Sequence, residues 1–128
     1  MRLLLDTHAL IWWAQDDPQL GRQAYRAIKD GEAEVLVSAA SAYEMFNKQR
    51  LRKLTGVDML LNDLPGYLAG QLFRELPITM RHAEVAGTLP IPHRDPFDRM
   101  LIAQALTDDL ALVSNEKRFD AWGVRRLW

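Results

Sequence analysis

An α/β fold with a short, mostly parallel central sheet and helices on both faces is the architecture that this sequence predicts. Short apolar runs at 2–5, where one charge precedes three leucines, and at 35–37 and 110–113 suit buried strands, and longer segments between them carry the periodicity of amphipathic helices. Strands that alternate with helices favour a parallel sheet, because parallel neighbours need a crossover connection. The 128 residues suit one domain, 1–128, that is large enough to bury a core.

The composition excludes several classes of protein. Hydrophobic residues make up 48% and charged residues 26%, which is typical of a globular domain, and the net charge of -1 gives no sign of a bulk nucleic-acid binder. The absence of cysteine excludes a disulfide framework, thiolate metal sites and Cys catalysis, and it suits the reducing cytoplasm, where we expect the protein. Asp6 and His8 interrupt the apolar N-terminal stretch, which therefore predicts neither a signal peptide nor a membrane span.

The first half of the chain reads as two strand–helix units. The strand at 2–5 precedes a helix from about His8 to Ala14, which Asp6 or Thr7 caps, and a second helix spans 21–30. The strand at 35–37 leads to a helix that Ser38 caps and that runs to about Gln49. Glu44 lies among the apolar residues of this last helix, and its position there requires an explanation.

The second half is less regular. Residues 50–76 predict a helical hairpin with pieces at 59–64 and 66–73 around Pro65, followed by a strand at 76–78. Thr79 caps a helix to about Gly87, and an extended segment at 89–92 leads to a helix that begins at Pro96 and that Asp108 and Asp109 end. After the strand at 110–113, Ser114 opens a turn or short helix, and 124–128 suits an edge strand.

The segment HRDPFDRMLIAQAL opens a buried helix with two carboxylates. Asp95 is a preferred N-cap residue, Pro96 suits the first helical position, and Asp98 follows in the first turn. Considered alone, both acids are explained by capping and by the helix dipole.

Further acids change this interpretation, because each lies near the carboxyl end of a predicted strand. They are Asp6, Glu44, Asp98 and Glu116. The carboxyl ends of parallel strands meet at one edge of the sheet, where sites form. Unpaired carboxylates gathered there would repel one another and raise one another's pKa unless a cation lay between them. Hard divalent ions such as Mg²⁺ take oxygen ligands, so the sequence predicts a metal site formed by these four acids.

At these positions the chain resembles a PIN domain, and specifically the VapC-type ribonuclease toxins of bacterial toxin–antitoxin pairs. The resemblance rests on LLLDTHALIWW, VSAASAYEM, HRDPFDRMLIAQA and LVSNEKRF, which together span nearly the whole length. It implies a three-layer fold and an endoribonuclease that hydrolyses RNA with one or two Mg²⁺ or Mn²⁺ ions. It also implies a cognate antitoxin and a homodimer. The family usually has Thr-x-Asp in the last motif, whereas Glu116 stands here in Ser-Asn-Glu, so its role as a ligand is open.

Nearby hydroxyl and imidazole groups have two interpretations each. Thr7 and Ser114 are placed either to contact a ligand water or phosphate, or to cap a helix. For His8 and His93 we expect packing or orientation of a neighbour rather than general-base chemistry.

Charged and aromatic neighbours of the motifs have simpler explanations than catalysis. For Arg99 we expect an ion pair with Asp98 at the start of the helix rather than an RNA contact. Trp12 and Trp13 could stack on bases, but a short apolar helix more often uses such residues for the core or a dimer contact.

Two other functions compete with the ribonuclease as explanations of these residues. A haloacid-dehalogenase phosphohydrolase also places an Asp after its first strand, but it requires a second Asp two residues later, where this chain has His8. The second alternative is a non-catalytic PIN-fold module that binds RNA or a protein, and only Glu116 favours it. Nothing structural demands three acids at Asp6, Glu44 and Asp98, so catalysis is the better explanation.

Overall fold

The computed structural model describes residues 1–128 and contains five strands and seven α-helices. In chain order they are β1 (Arg2–Leu5), α1 (Thr7–Ala14), α2 (Arg22–Lys29), β2 (Glu34–Ser38), α3 (Ala39–Arg50), α4 (Asp58–Leu61), α5 (Leu64–Gly70), β3 (Arg74–Leu76), α6 (Met80–Thr88), α7 (Pro96–Thr107), β4 (Ala111–Val113), a 3₁₀ helix (Lys117–Trp122) and β5 (Arg126–Leu127). None of the helices combines the length and the apolar character that crossing a membrane requires.

The five strands form one sheet in the order β3-β2-β1-β4-β5, and every neighbouring pair is parallel. β1 lies at the centre, where Leu3 is in register with Val35 of β2 and with Ala111 of β4. The predicted parallel sheet is therefore confirmed. All strands point the same way, so their carboxyl ends lie along one edge.

Helices cover both faces of the sheet, because successive side chains of a buried strand point to opposite sides. Leu3 and Leu5 belong to the larger core, which includes residues of α1, α2, α4 and α5. Leu4 belongs to a second core with Leu101 of α7 and Phe119 of the 3₁₀ helix, and α6 packs against α7. This arrangement is the predicted three-layer α/β architecture.

Two predicted boundaries in the middle of the chain were wrong. β3 ends at Leu76 instead of beginning there, and Pro77, which has no N–H to donate to a neighbouring strand, follows it directly. Pro65 lies in the first turn of α5 rather than between two helices, because its missing N–H costs nothing at that position. Asp63 caps this helix by accepting a hydrogen bond from the Gly66 N–H at 3.1 Å.

Candidate active site

A cavity of about 390 Å³ lies at the carboxyl edge of the sheet, and all four predicted acids line it. Asp6 follows β1, Glu44 projects from α3, Asp98 lies in the first turn of α7, and Glu116 follows β4. The structure thus brings together the four side chains that the sequence places near strand ends. Each of them has different partners, which decide what it can do.

Asp6 is the N-cap residue of α1, and its carboxylate accepts a hydrogen bond from the Ala9 N–H at 2.8 Å. Burial raises the pKa of Asp6 to about 6, although the Ala9 N–H and the Ser114 hydroxyl lower it in part and Asp98 adds repulsion. No Lys or Arg forms an ion pair with Asp6. A cation beside it would therefore relieve an unfavourable charge.

Asp95 and Asp98 divide two roles at the start of α7. Asp95 is the cap, because its Oδ1 accepts hydrogen bonds from the N–H groups of Phe97 at 2.8 Å and Asp98 at 3.2 Å. The Asp98 carboxylate does not cap the helix but lines the cavity, and its Oδ2 lies 2.8 Å from Nε2 of His93. Burial raises the pKa of Asp98, and the His93 contact only partly opposes the increase.

Glu44 is buried, with 7% of its surface exposed, and both of its carboxylate oxygens are engaged. The Thr7 hydroxyl donates to Oε1 at 2.5 Å, and the Ser41 oxygen lies 3.1 Å from the same hydroxyl. Because a carboxylate only accepts hydrogen bonds, the Thr7 hydroxyl donates to Glu44 and the Ser41 hydroxyl donates to Thr7. Lys48 places its Nζ 2.6 Å from Oε2. Thr7 therefore acts on Glu44 and does not cap the helix with its side chain.

Glu116 is the N-cap residue of the 3₁₀ helix, and its carboxylate is bound by Arg118. Its Oε1 accepts from Arg118 Nε at 2.9 Å, and its Oε2 accepts from the Arg118 Nη2 group at 3.0 Å. This contact lowers the pKa of Glu116. Ser114 is fully buried, and its hydroxyl oxygen accepts a hydrogen bond from the Glu116 N–H at 3.1 Å. Its hydroxyl also contacts Asp6, so Ser114 helps to position two acids of the site.

The two histidines differ: His93 has the orienting role that the sequence indicates, whereas His8 only lies beside a neighbouring ring. His93 packs against Phe119 and Trp122, with ring centroids 5.8 Å and 5.3 Å away, and this packing holds its Nε2 toward Asp98. His8 is exposed at the cavity wall, where its ring lies 5.4 Å from that of Trp12.

The ion pair predicted between Arg99 and Asp98 was wrong. The Arg99 guanidinium instead donates to the backbone carbonyl oxygens of Ala86, Leu89, Ile91 and His93, at 2.7–3.2 Å. A planar fork of five N–H donors can serve several carbonyls at once, whereas a carboxylate at the helix start would take only two of them.

The two tryptophans of α1 belong to the packing of the domain itself. Trp13 contacts Tyr25 and Phe73, and its Nε1 donates to Gln71 at 2.9 Å. Trp12 packs edge-on against Trp128 at 5.8 Å and also forms part of the cavity wall.

The donor set of the cavity fits a hydrated hard cation. No three Asp, Glu or His side chains converge closely enough to form a complete protein cage for a metal. Mg²⁺ does not need such a cage, because it keeps several waters and commonly binds through one or two carboxylates. Asp6 and Asp98 are the acids that lack a Lys or Arg partner and whose pKa burial raises. They are the best candidates to hold the ion.

Two cationic side chains that bind acids of the cavity were not predicted from the sequence. Lys48 lines the cavity, and Arg118 binds one of its acids. The spacing of Glu44 and Lys48, four residues apart on a helix, was the signal that could have revealed the first pair. The second pair spans a turn, where no comparable rule of spacing applies.

Comparison with known proteins gives the family. The family model described as PIN domain matches residues 3–124. Ribonuclease VapC22 of Mycobacterium tuberculosis is 29% identical over 120 residues, which cover 91% of this chain and 88% of that protein.

Two solved structures share the fold. A chain of VapBC2 from Rickettsia felis, bound to a DNA fragment from their promoter, has a TM-score of 0.70 at 13% identity and full coverage of both chains. A chain of FitAcB from Neisseria gonorrhoeae has a TM-score of 0.62 at 20% identity, covering 97% of this chain and 95% of that one. Because the family model spans nearly the whole sequence, this chain belongs to the PIN domain family.

Proposed function

We propose that this protein is a divalent-metal-dependent endoribonuclease and the toxin of a toxin–antitoxin pair. The observation that carries the proposal is the cavity that collects Asp6, Glu44, Asp98 and Glu116 at one edge of the sheet. A relative that covers most of the chain is named a ribonuclease, which supports RNA as the substrate class. An RNA substrate and the lack of cysteine suit the cytoplasm.

Asp6 and Asp98 would hold the ion, which we expect to be Mg²⁺ or Mn²⁺, while Glu44 and Glu116 complete the catalytic acids. When bound, such an ion lowers the pKa of a water and stabilises charge on a phosphodiester. His93 fixes the orientation of the Asp98 carboxylate through its 2.8 Å contact. Ser114 is buried and the Thr7 hydroxyl donates a hydrogen bond to Glu44, so neither hydroxyl is free to attack phosphorus. We propose that a water molecule is the nucleophile instead.

Lys48 and Arg118 bring positive charge to a cavity that otherwise repels RNA. Both cations contact carboxylates of the site, and each side chain is partly exposed, at 37% for Lys48 and 63% for Arg118. An approaching phosphate would therefore meet cations that are already held near the acids.

An antitoxin partner is supported by the structural relatives, one of which is a toxin–antitoxin complex. A free ribonuclease would harm its host, and an acidic cavity is complementary in charge to a cationic side chain of an inhibitor. We propose a small antitoxin whose tail covers the acids.

A homodimer is the second proposed assembly. Trp12 and Trp13 are used within the domain, so the exposed apolar side chains Tyr43, Phe46 and Met80 are the better candidates for the contact. Light scattering of the protein alone and of the co-expressed pair should give the masses of a dimer and of a larger heteromeric complex. A monomer that captures no product of a neighbouring gene would contradict both assemblies.

A non-catalytic RNA- or protein-binding module remains the second candidate function, and the bidentate Arg118 contact with Glu116 favours it. Cleavage of a defined RNA by purified protein separates the two functions. We expect cleavage with Mg²⁺ or Mn²⁺, none in excess EDTA, and recovery when metal is restored. Asp6→Asn keeps the helix cap and should abolish cleavage. Cleavage that survives EDTA, or that Asp6→Asn retains, would refute the proposed mechanism.

A further inference from the structure

The acids of the cavity divide into two classes by their partners. Glu44 and Glu116 each have a cationic side chain within 3.0 Å, whereas Asp6 and Asp98 have no Lys or Arg partner. Asp95 also lines the cavity, but backbone N–H groups at the start of α7 already bind its carboxylate. Two acids are therefore left for an ion, and together they carry the charge that one divalent cation neutralises.

The two cationic pairs differ in how firmly they are held. The side chains of Glu116 and Arg118 are 34% and 63% exposed, so solvent screens their attraction and the pair can open at little cost. The Glu44 side chain is only 9% exposed, and Thr7 holds its other oxygen. Removing the charge of Lys48 would leave a buried, uncompensated carboxylate, which is strongly unfavourable.

We propose that Lys48 takes the place of a second divalent ion, so that the cavity holds one cation on Asp6 and Asp98, with Glu44 as the anchor of Lys48. This inference rests on the proposed function, because it concerns the same metal site. Lys48 is the only Lys or Arg side chain that lines the cavity, and a buried carboxylate holds it there, whereas Arg118 belongs to the exposed pair. Lys48 is thus a positioning residue that sets the number of bound ions.

Counting bound Mn²⁺ tests this role independently of catalysis. Metal-stripped protein is titrated with Mn²⁺, and free Mn²⁺ is measured by its electron paramagnetic resonance signal. We expect one bound ion for the wild type. Lys48→Arg keeps the positive charge and should also bind one. Lys48→Gln keeps a hydrogen-bond donor for Glu44 but removes the charge, and it should bind two. Lys53→Gln removes a Lys charge outside the cavity and should bind one.

The melting temperature in chelator provides a second readout on the same proteins. Lys48→Gln should melt below the wild type in EDTA and recover with Mn²⁺, because the ion replaces the missing charge beside Glu44. Two ions bound by the wild type, or one ion bound by Lys48→Gln, would overturn the role of Lys48 and leave the metal-dependent nuclease intact. No Mn²⁺ bound by the wild type would instead refute the proposed function itself, and this inference with it.

Discussion

At the scale of single residues, Asp6 combines a structural role with an unfavourable charge. Its carboxylate caps α1 through the Ala9 N–H, yet burial raises its pKa from 3.8 to about 6. The folded protein therefore binds this proton more tightly than the unfolded chain does. The resulting stabilisation is complete below the unfolded pKa and is lost as the pH rises through about 6.

We predict that the metal-free protein becomes less stable between about pH 4 and pH 6 because of Asp6. Asp6→Asn keeps the cap, removes this pH dependence, and should raise the free energy of unfolding at pH 7 by roughly 1–3 kcal/mol. Urea unfolding in EDTA at pH 4.5 and pH 7 measures both effects. A variant less stable than the wild type at pH 7 would show that the Asp6 charge is favourable in the fold.

At the scale of structural elements, Arg99 connects α7 to the segment that carries His93. Its guanidinium binds the carbonyl oxygens at the end of α6 and along 89–93, and His93 in turn contacts Asp98. The segment contains two prolines, whose rings remove the N–H groups that could otherwise fix it to a neighbour. Arg99 therefore supports the orientation of Asp98 without touching it.

We predict that Arg99→Met lowers the free energy of unfolding by about 2–4 kcal/mol. Four charge-assisted hydrogen bonds are lost, and some of the carbonyl oxygens stay shielded from water and so have no replacement partner. Arg99→Lys should retain only a small part of the stability that Arg99 contributes, since one ammonium group cannot reproduce the planar arrangement of guanidinium donors. Urea unfolding of both variants measures the difference. Equal stability of Arg99→Lys and the wild type would contradict the bridging role.

Elements with a strong local signal could be predicted from the sequence, and weaker ones could not. The apolar run around Leu4 predicted the central strand β1, and the run around Leu112 predicted β4. Asp95 with Pro96 predicted the start of α7. β3 carries a single buried residue, Leu76, so no alternation marks its bounds. Its pairing with β2, which sets Ser38 beside Leu76, is a contact between distant segments that periodicity does not contain.

At the scale of the whole molecule, the same distinction separates the acids from their partners. The parallel sheet alone requires that residues after β1 and β4 meet at one edge, so the gathering of Asp6 and Glu116 followed from topology. The division into paired and unpaired acids depends on rotamers and burial. The turn of Glu116 toward Arg118 and the buried pair of Glu44 with Lys48 are such features, and only the structure reveals them.

The proposed mechanism depends on a division of roles at the start of α7, in which Asp98 serves the metal and Asp95 serves the helix. Asp95→Asn is a matched control, because Asn caps as well as Asp and should change stability by only a few tenths of a kcal/mol. Asp95→Ala should cost about 1 kcal/mol through the lost cap. Asp98→Asn removes a favourable dipole contact of roughly 0.3–1 kcal/mol, but it also relieves repulsion from the neighbouring acids.

Thermal melting of the wild type, Asp95→Asn and Asp98→Asn, each in EDTA and in Mg²⁺, tests this claim directly. Mg²⁺ should stabilise the wild type and Asp95→Asn, by about 2.7 kcal/mol when its concentration is roughly 100 times the Kd. Asp98→Asn should melt at or above the wild-type temperature in EDTA and gain nothing from Mg²⁺. If Asp98→Asn instead melts clearly lower in EDTA and keeps the full stabilisation by Mg²⁺, Asp98 is a residue of the helix start and the metal site lies elsewhere.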